Sequence, residues 1–210
     1  MNIVLISVLL LCSVHRIPAQ EFILYETYDN GKIGEIKILL NRNENGYNIT
    51  YSSDRFIEVI LDTLNFQTLY LNKMIKGKWE VTLKKNGNIF EVNYKGNKKI
   101  YSEKDPVFDR HTLDFALRGF EYDISFKKRI RLHIPEFMIV NADLMVLGEE
   151  TVSTPIGEIE CWKIGMNPRI IFIDKKFYFW IEKEHPYRFV QYRDSSDKNR
   201  IIIKDYKSID

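Results

Sequence analysis

The chain has 210 residues, of which 45% are hydrophobic and 29% charged, with 10 glycines and 6 prolines. That composition belongs to an ordinary globular domain and excludes a disordered or repeat-biased one. A formal net charge of +2 gives a nucleic-acid role no electrostatic footprint.

Residues 3–14 form an apolar run of 12. It is too short to cross a bilayer, which takes about 20 residues, and it suits the core of a secretory signal peptide. Pro18-Ala19-Gln20 supplies the small residue for cleavage after Ala19. Residues 1–19 are therefore expected to be a signal peptide and residues 20–210 a single β-rich envelope domain, exported to the periplasm. A first buried strand is the competing reading, and the abrupt change to charged, alternating sequence at Glu21 stands against it. Leu9-Leu10-Leu11-Cys12 resembles a lipid-attachment site only superficially, because Leu11 sits where a small residue is needed. Removing the leader leaves Cys161 alone, which excludes an internal disulfide and a thiolate metal site.

From Glu21 the pattern has period two. Residues 22–28 and 34–41 are strands joined by Asp29-Asn30-Gly31-Lys32, and Asn45-Gly46 makes the next hairpin. Tyr47, Ile49 and Tyr51 alternate with Asn48, Thr50 and Ser52, placing one face on a core. The meander continues through residues 56–62, 66–74, 79–83, 90–94 and 98–102, punctuated by Gly77, Asn86-Gly87 and Gly96-Asn97. Then the period changes. Asp105-Pro106 reads as a helix N-cap with proline at the first helical position. Leu113, Ala116, Leu117 and Phe120 fall on one stripe, predicting a helix of 11 to 14 residues that ends near Gly119. Strands resume at 130–134, 137–147, 158–164, 177–181, 187–193 and 200–205, with turns at Thr154-Pro155-Ile156-Gly157, His185-Pro186 and residues 194–198. So many consecutive strands with one helix predict a mainly β fold, a single curved antiparallel sheet (an open or half barrel) with one covering α-helix.

Three stretches resemble a known family: Asp105-Pro106 into Leu113-Asp-Phe-Ala-Leu-Arg118-Gly-Phe120; Gly148-Glu-Glu-Thr-Val-Ser-Thr154-Pro-Ile-Gly157-Glu-Ile-Glu-Cys-Trp-Lys163; and Phe179-Trp180-Ile-Glu with His185-Pro186-Tyr-Arg-Phe-Val-Gln-Tyr192. They are similar to an uncharacterised family of exported bacterial envelope proteins, which is similar in turn to the lipoprotein-localisation-factor (LolA/LolB-like) fold. The resemblance covers residues 100–206 and implies a curved open sheet with helices in its hollow and an envelope location. It implies no reaction.

Candidate chemistry is sparse. Asp109, His111 and Asp114 invite a metal or acid/base reading, but on a helix 111 and 114 share a face while 109 points elsewhere; acids that cap a helix start explain them more simply. Glu182, Glu184 and His185 read as a strand end and turn rather than a metal site. Cys161, alternating in a strand beside Trp162, reads as a small core residue. No phosphate loop, nucleophile elbow or zinc spacing occurs, so no catalytic residue, metal or cofactor is expected. The apolar segment Ile170, Ile171, Phe172 and Ile173, bounded by Arg169 and Lys175-Lys176, reads as a buried strand start or as a greasy tip at the mouth of a hollow. With Leu117 and Trp180, those four are the expected ligand-binding residues. The function expected is a non-catalytic envelope protein holding a lipid or acylated ligand in the concave face, with peripheral membrane contact. The alternative is an envelope interaction or assembly protein with a protein partner and a filled core.

Overall fold

A computed structural model describes residues 17–134, 138–170 and 175–209. The first half is a meander of eight strands: β1 (Gln20–Asp29), β2 (Lys32–Asn43), β3 (Gly46–Ser52), β4 (Arg55–Leu61), β5 (Thr68–Ile75), β6 (Lys78–Asn86), β7 (Ile89–Tyr94) and β8 (Asn97–Ser102). A short strand β9 (Val107–Asp109) leads into a helical segment made of a 3-10 turn (Arg110–Thr112), α1 (Leu113–Ala116) and a second 3-10 turn (Leu117–Gly119). The second half comprises β10 (Lys127–Ile134), β11 (Met138–Thr154), β12 (Gly157–Pro168), β13 (Phe177–Glu182), β14 (Phe189–Asp194) and β15 (Asn199–Ile209).

All fifteen strands join one sheet in the order 8-7-6-5-4-3-2-1-15-14-13-12-11-10-9. The first and last long strands pair with each other, Gln20 opposite Ile209 and Asp29 opposite Asn199, so the two meanders are continuous. The turns explain the hairpins. Asn30-Gly31, Lys76-Gly77 and Lys95-Gly96 each place two successive residues at positive φ, the backbone twist that two-residue hairpin loops need. Register shifts at Leu24/Tyr25, Ile60/Leu61, Lys73/Met74, Val146/Gly148 and Trp180/Ile181 bend the strands as bulges do. The sheet rolls up but stays open, because its edges β8 and β9 do not pair with each other. Side chains bridge the seam instead: the Arg131 guanidinium donates to Glu103 at 2.6 and 3.0 Å, and the Phe90 and His133 rings meet edge-on at 5.3 Å.

The helix is shorter than the apolar stripe implies. Val107–Asp109 pairs in parallel with Arg131, Leu132 and His133 of β10, and the N-cap is Asp109, whose carboxylate accepts from the His111 backbone N–H. Asp105-Pro106 therefore precedes a strand, and this pair is the one parallel ladder among the described strands. The physical reason is the unpaired edge of β10: its exposed N–H and C=O groups capture the segment before the helix can begin. Leu113, Ala116 and Leu117 still bury as the stripe requires, at 5%, 1% and 0% exposure. The segment lies close against Phe66, since a Cβ at Gly119 would sit 2.3 Å from the Phe66 ring. β11 also exceeds expectation, continuing through Gly148 to Thr154; position 137, the expected start of that strand, lies outside the described residues.

Candidate functional site

Strand alternation sends one side chain in two to the concave face. Ile36 and Ile38 of β2, Tyr51 of β3, Ile57 of β4, Leu132 and Ile134 of β10, and Phe177 and Phe179 of β13 all point there, around a cavity of about 750 Å3. Its lining is dominated by Ile, Leu, Met and aromatic carbons.

One end of this hollow is plugged. Arg118 follows α1 and is 1% exposed, and its guanidinium donates to both oxygens of the equally buried Glu21 at 2.6 and 2.8 Å. It also donates to the carbonyls of Pro186 and Tyr187, and the Tyr206 hydroxyl donates to Glu21. First strand, plug, last strand and the β13–β14 turn are thus tied at one point. Tyr47 and Phe66 stack beside it at 5.2 Å. The other end opens among Tyr28, Lys32, Ile33, Arg55, Lys175 and Arg200.

Polar groups sit where α1 faces the hollow. The Tyr51 hydroxyl donates to Asp114 at 2.8 Å. Burial pushes the Asp114 carboxyl up to about 7, against the opposing pull of Tyr51, the Phe115 backbone N–H and Arg118. Burial and the Asp114 charge together push Tyr51 well above an ordinary phenol. Next to them, His111 lines the cavity and its Nδ1 donates to Asp109 at 2.8 Å. The second Asp109 oxygen accepts from His133 Nδ1 at 2.7 Å. Burial opposes the charge on Asp109, but the two imidazoles outweigh it and hold the carboxyl well below the usual carboxylate range. Asp109 and His111 are therefore brought together rather than apart, because the N-cap geometry folds the carboxylate back over the first turn. His133 joins them from the neighbouring strand; the alternation of β10 gave no sign of it. Among the described residues, no group of three or more His, Cys, Asp or Glu side chains is arranged to hold a metal ion.

The expected ligand-binding residues separate. Ile170 lines the hollow. Leu117 is fully buried within the plug and does not line the cavity. Trp180 alternates with Phe179 and so faces the opposite side of the sheet, where it lines an outer cleft of about 820 Å3 under the long β11–β12 hairpin. There its indole N–H donates to Glu150 at 2.8 Å, with the Lys163 and Arg193 cations 5.2 and 5.8 Å from its ring. Ile171, Phe172 and Ile173 lie outside the described residues. Glu182 is an ion-pair partner of Arg188 at the turn. Cys161 is fully buried, and burial pushes its thiol up to about 12, which suits a core residue and not a nucleophile. Tyr51, His111 and Asp114, the polar groups of the hollow, lie on a strand and a plug that only the rolled sheet brings together.

The chain is similar to several known proteins. The family described as a protein of unknown function (DUF3108) matches residues 48–199. A comparison with curated proteins finds no match. Among solved structures, a β-barrel-like protein of the domain of unknown function DUF1849 from Brucella abortus superposes with a TM-score of 0.56 at 10% identity, covering 92% of this chain and 99% of that one. A protein with a YmcC-like fold from Bacteroides fragilis gives 0.37 at 12% identity over 91% and 96% of the two chains. The MucA/MucB complex of Pseudomonas aeruginosa gives 0.35 at 10% identity, over 90% of this chain and 51% of that one.

Proposed function

We propose that this chain, which belongs to the DUF3108 family, is a non-catalytic envelope protein that carries one long apolar chain, such as the acyl tail of a lipid, in the hollow of its sheet. The observation that carries this reading is the cavity itself: about 750 Å3 walled by Ile36, Ile57, Ile134, Met166, Phe177 and Phe179 that the described side chains leave unfilled. Small-molecule sites span about 300–1,000 Å3 and are mostly apolar with a few placed polar groups, and Tyr51 and Asp114 supply such groups here. About fifteen buried methylenes contribute about 12 kcal/mol gross; an association and ordering cost of about 4 kcal/mol leaves about 8 kcal/mol, which corresponds to micromolar affinity with loose chain-length selectivity. The apolar leader at residues 3–14 supports export.

A fluorescent fatty-acyl probe should bind the purified protein at micromolar concentration and be displaced by lipids of similar length. Ile36→Trp, which places an indole in the hollow, should weaken binding at least tenfold while leaving the circular dichroism spectrum unchanged. Absence of probe binding by folded protein, together with no bound lipid in native mass spectrometry, would refute the carrier reading and favour an assembly protein with a protein partner.

A further inference from the structure

The net charge of +2 conceals an uneven distribution. In a meander, every odd-to-even turn of the first half falls at one end of the sheet, and the pairings Asp29–Asn199 and Phe177–Asp194 place the β14–β15 and β12–β13 connections at that same end. This is the open end of the hollow. Lys32, Arg55, Lys76 with Lys78, and Lys95 stand exposed at its four first-half turns, Arg55 paired with Asp54 at 3.7 Å and Lys95 with Glu80 at 3.2 Å. Arg169, paired with Asp143 at 2.7 Å, and Lys176 and Lys198 continue the basic crown across the second half. Among the described residues the exposed acids there are Asp29, Glu35, Asp54 and Asp197, and Glu35 is paired with Lys204. The opposite, plugged end is mixed, with Glu44, Asp105, Asp123, Glu158 and Glu184 exposed alongside Arg42, Lys104 and Lys127. Large apolar side chains stand exposed within the crown, Ile33 at 72%, Trp79 at 55% and Met138 at 53%, as others do at the plugged end, Leu64 at 90% and Ile209 at 65%, so charge and not apolar exposure separates the two ends.

From this we infer that the open end is a membrane-docking face, whose basic crown and protruding Ile33 and Trp79 set the mouth of the hollow against an anionic lipid bilayer. The inference rests on the carrier reading for its choice of partner, since an apolar cargo leaves or enters from a lipid phase. Basic side chains attract an anionic surface within a Debye length, and exposed Trp and Ile seat in the headgroup boundary. An acidic protein surface would match the crown's charge but would leave Ile33 and Trp79 without an apolar phase. At the plugged end the acids offset the bases, so the attraction orients the mouth and not the plug toward the lipid.

Flotation with phosphatidylcholine vesicles doped with phosphatidylglycerol tests it. The protein should float with the doped vesicles, fail to float with pure phosphatidylcholine, and detach as salt is raised. Trp79 fluorescence should shift to the blue on binding, and Trp79→Phe should abolish that shift. Each basic residue near the surface contributes about fivefold to partitioning, so Lys76→Glu with Lys78→Glu should reduce it more than tenfold. The same change of charge at the plugged end, Lys104→Glu with Lys127→Glu, should leave it unchanged. Equal flotation of the Lys76→Glu/Lys78→Glu variant, or no flotation of the wild type, would overturn the docking face. Binding of a DNA duplex without any vesicle flotation would likewise overturn it in favour of a polyanion site. If acyl-probe binding persists while flotation fails, the carrier reading stands and the docking face falls; if flotation persists without probe binding, the reverse holds.

Discussion

Replacing Asp114 by asparagine should stabilise the protein increasingly as pH rises. In the fold this carboxyl titrates near 7 because burial on the wall of the hollow disfavours its charge, whereas in the unfolded chain an aspartate titrates near 3.9. Between those values the folded state holds a proton that the unfolded state has released, so stability falls with rising pH. At 1.36 kcal/mol per pH unit, the loss accumulated by pH 7 is on the order of 4 kcal/mol. The amide of the Asp114→Asn variant keeps an acceptor for the Tyr51 hydroxyl, which lies 2.8 Å from the carboxylate, and carries no charge at any pH. The two proteins should therefore unfold at the same urea concentration near pH 4, and the variant should lead progressively up to about pH 7 before the gap levels off. Depressed carboxylates such as Asp109 act in the opposite sense, but equally in both proteins, and cancel from the difference. Paired urea titrations across this range are the assay. A gap independent of pH, or a variant less stable than wild type at high pH, would refute the assignment of a buried, proton-holding Asp114.

Arg118→Met should cost about 3–5 kcal/mol, because it leaves the buried Glu21 carboxylate without its bidentate partner; adding Glu21→Gln should recover part of the loss in equilibrium unfolding. Leu117→Ala should cost about 2–5 kcal/mol as a packed core deletion, and a loss under about 0.5 kcal/mol would contradict its place in the plug. Secreted from its native leader, the chain should begin at Gln20 by intact mass, and a form retaining Met1 would refute export with processing. Ile17 is 1% exposed and the Ala19 carbonyl accepts from the Arg42 N–H, so the Gln20 form should be less stable than one starting at Ile17 by about 1.5–3 kcal/mol, the burial term of one isoleucine.

Period-two alternation and glycine turns, both local properties, set the strands, and the sequence alone determined them. Tyr47, Ile49 and Tyr51 face the core as their spacing requires, and the hairpins turn where Asn30-Gly31 and Lys76-Gly77 permit positive φ. The same alternation puts Phe179 and Trp180 on opposite faces, but which face becomes the hollow depends on the direction in which fifteen strands curl. Curl is a sum of twists and bulges along the whole sheet, and it turned Phe179 inward and Trp180 to the outer cleft. Likewise the stripe through Leu113 and Leu117 marked a buried helical face, while the free edge of β10 decided that Val107–Asp109 would be strand. The part-buried pair Tyr51–Asp114 and the buried pair Glu21–Arg118 join positions 63 and 97 residues apart. No periodicity reports such partners, because each polar group is satisfied only by what the folded tertiary structure carries to it; the gathering of basic residues at the open end has the same origin, since hairpin topology, not sequence proximity, assigns each turn to an end.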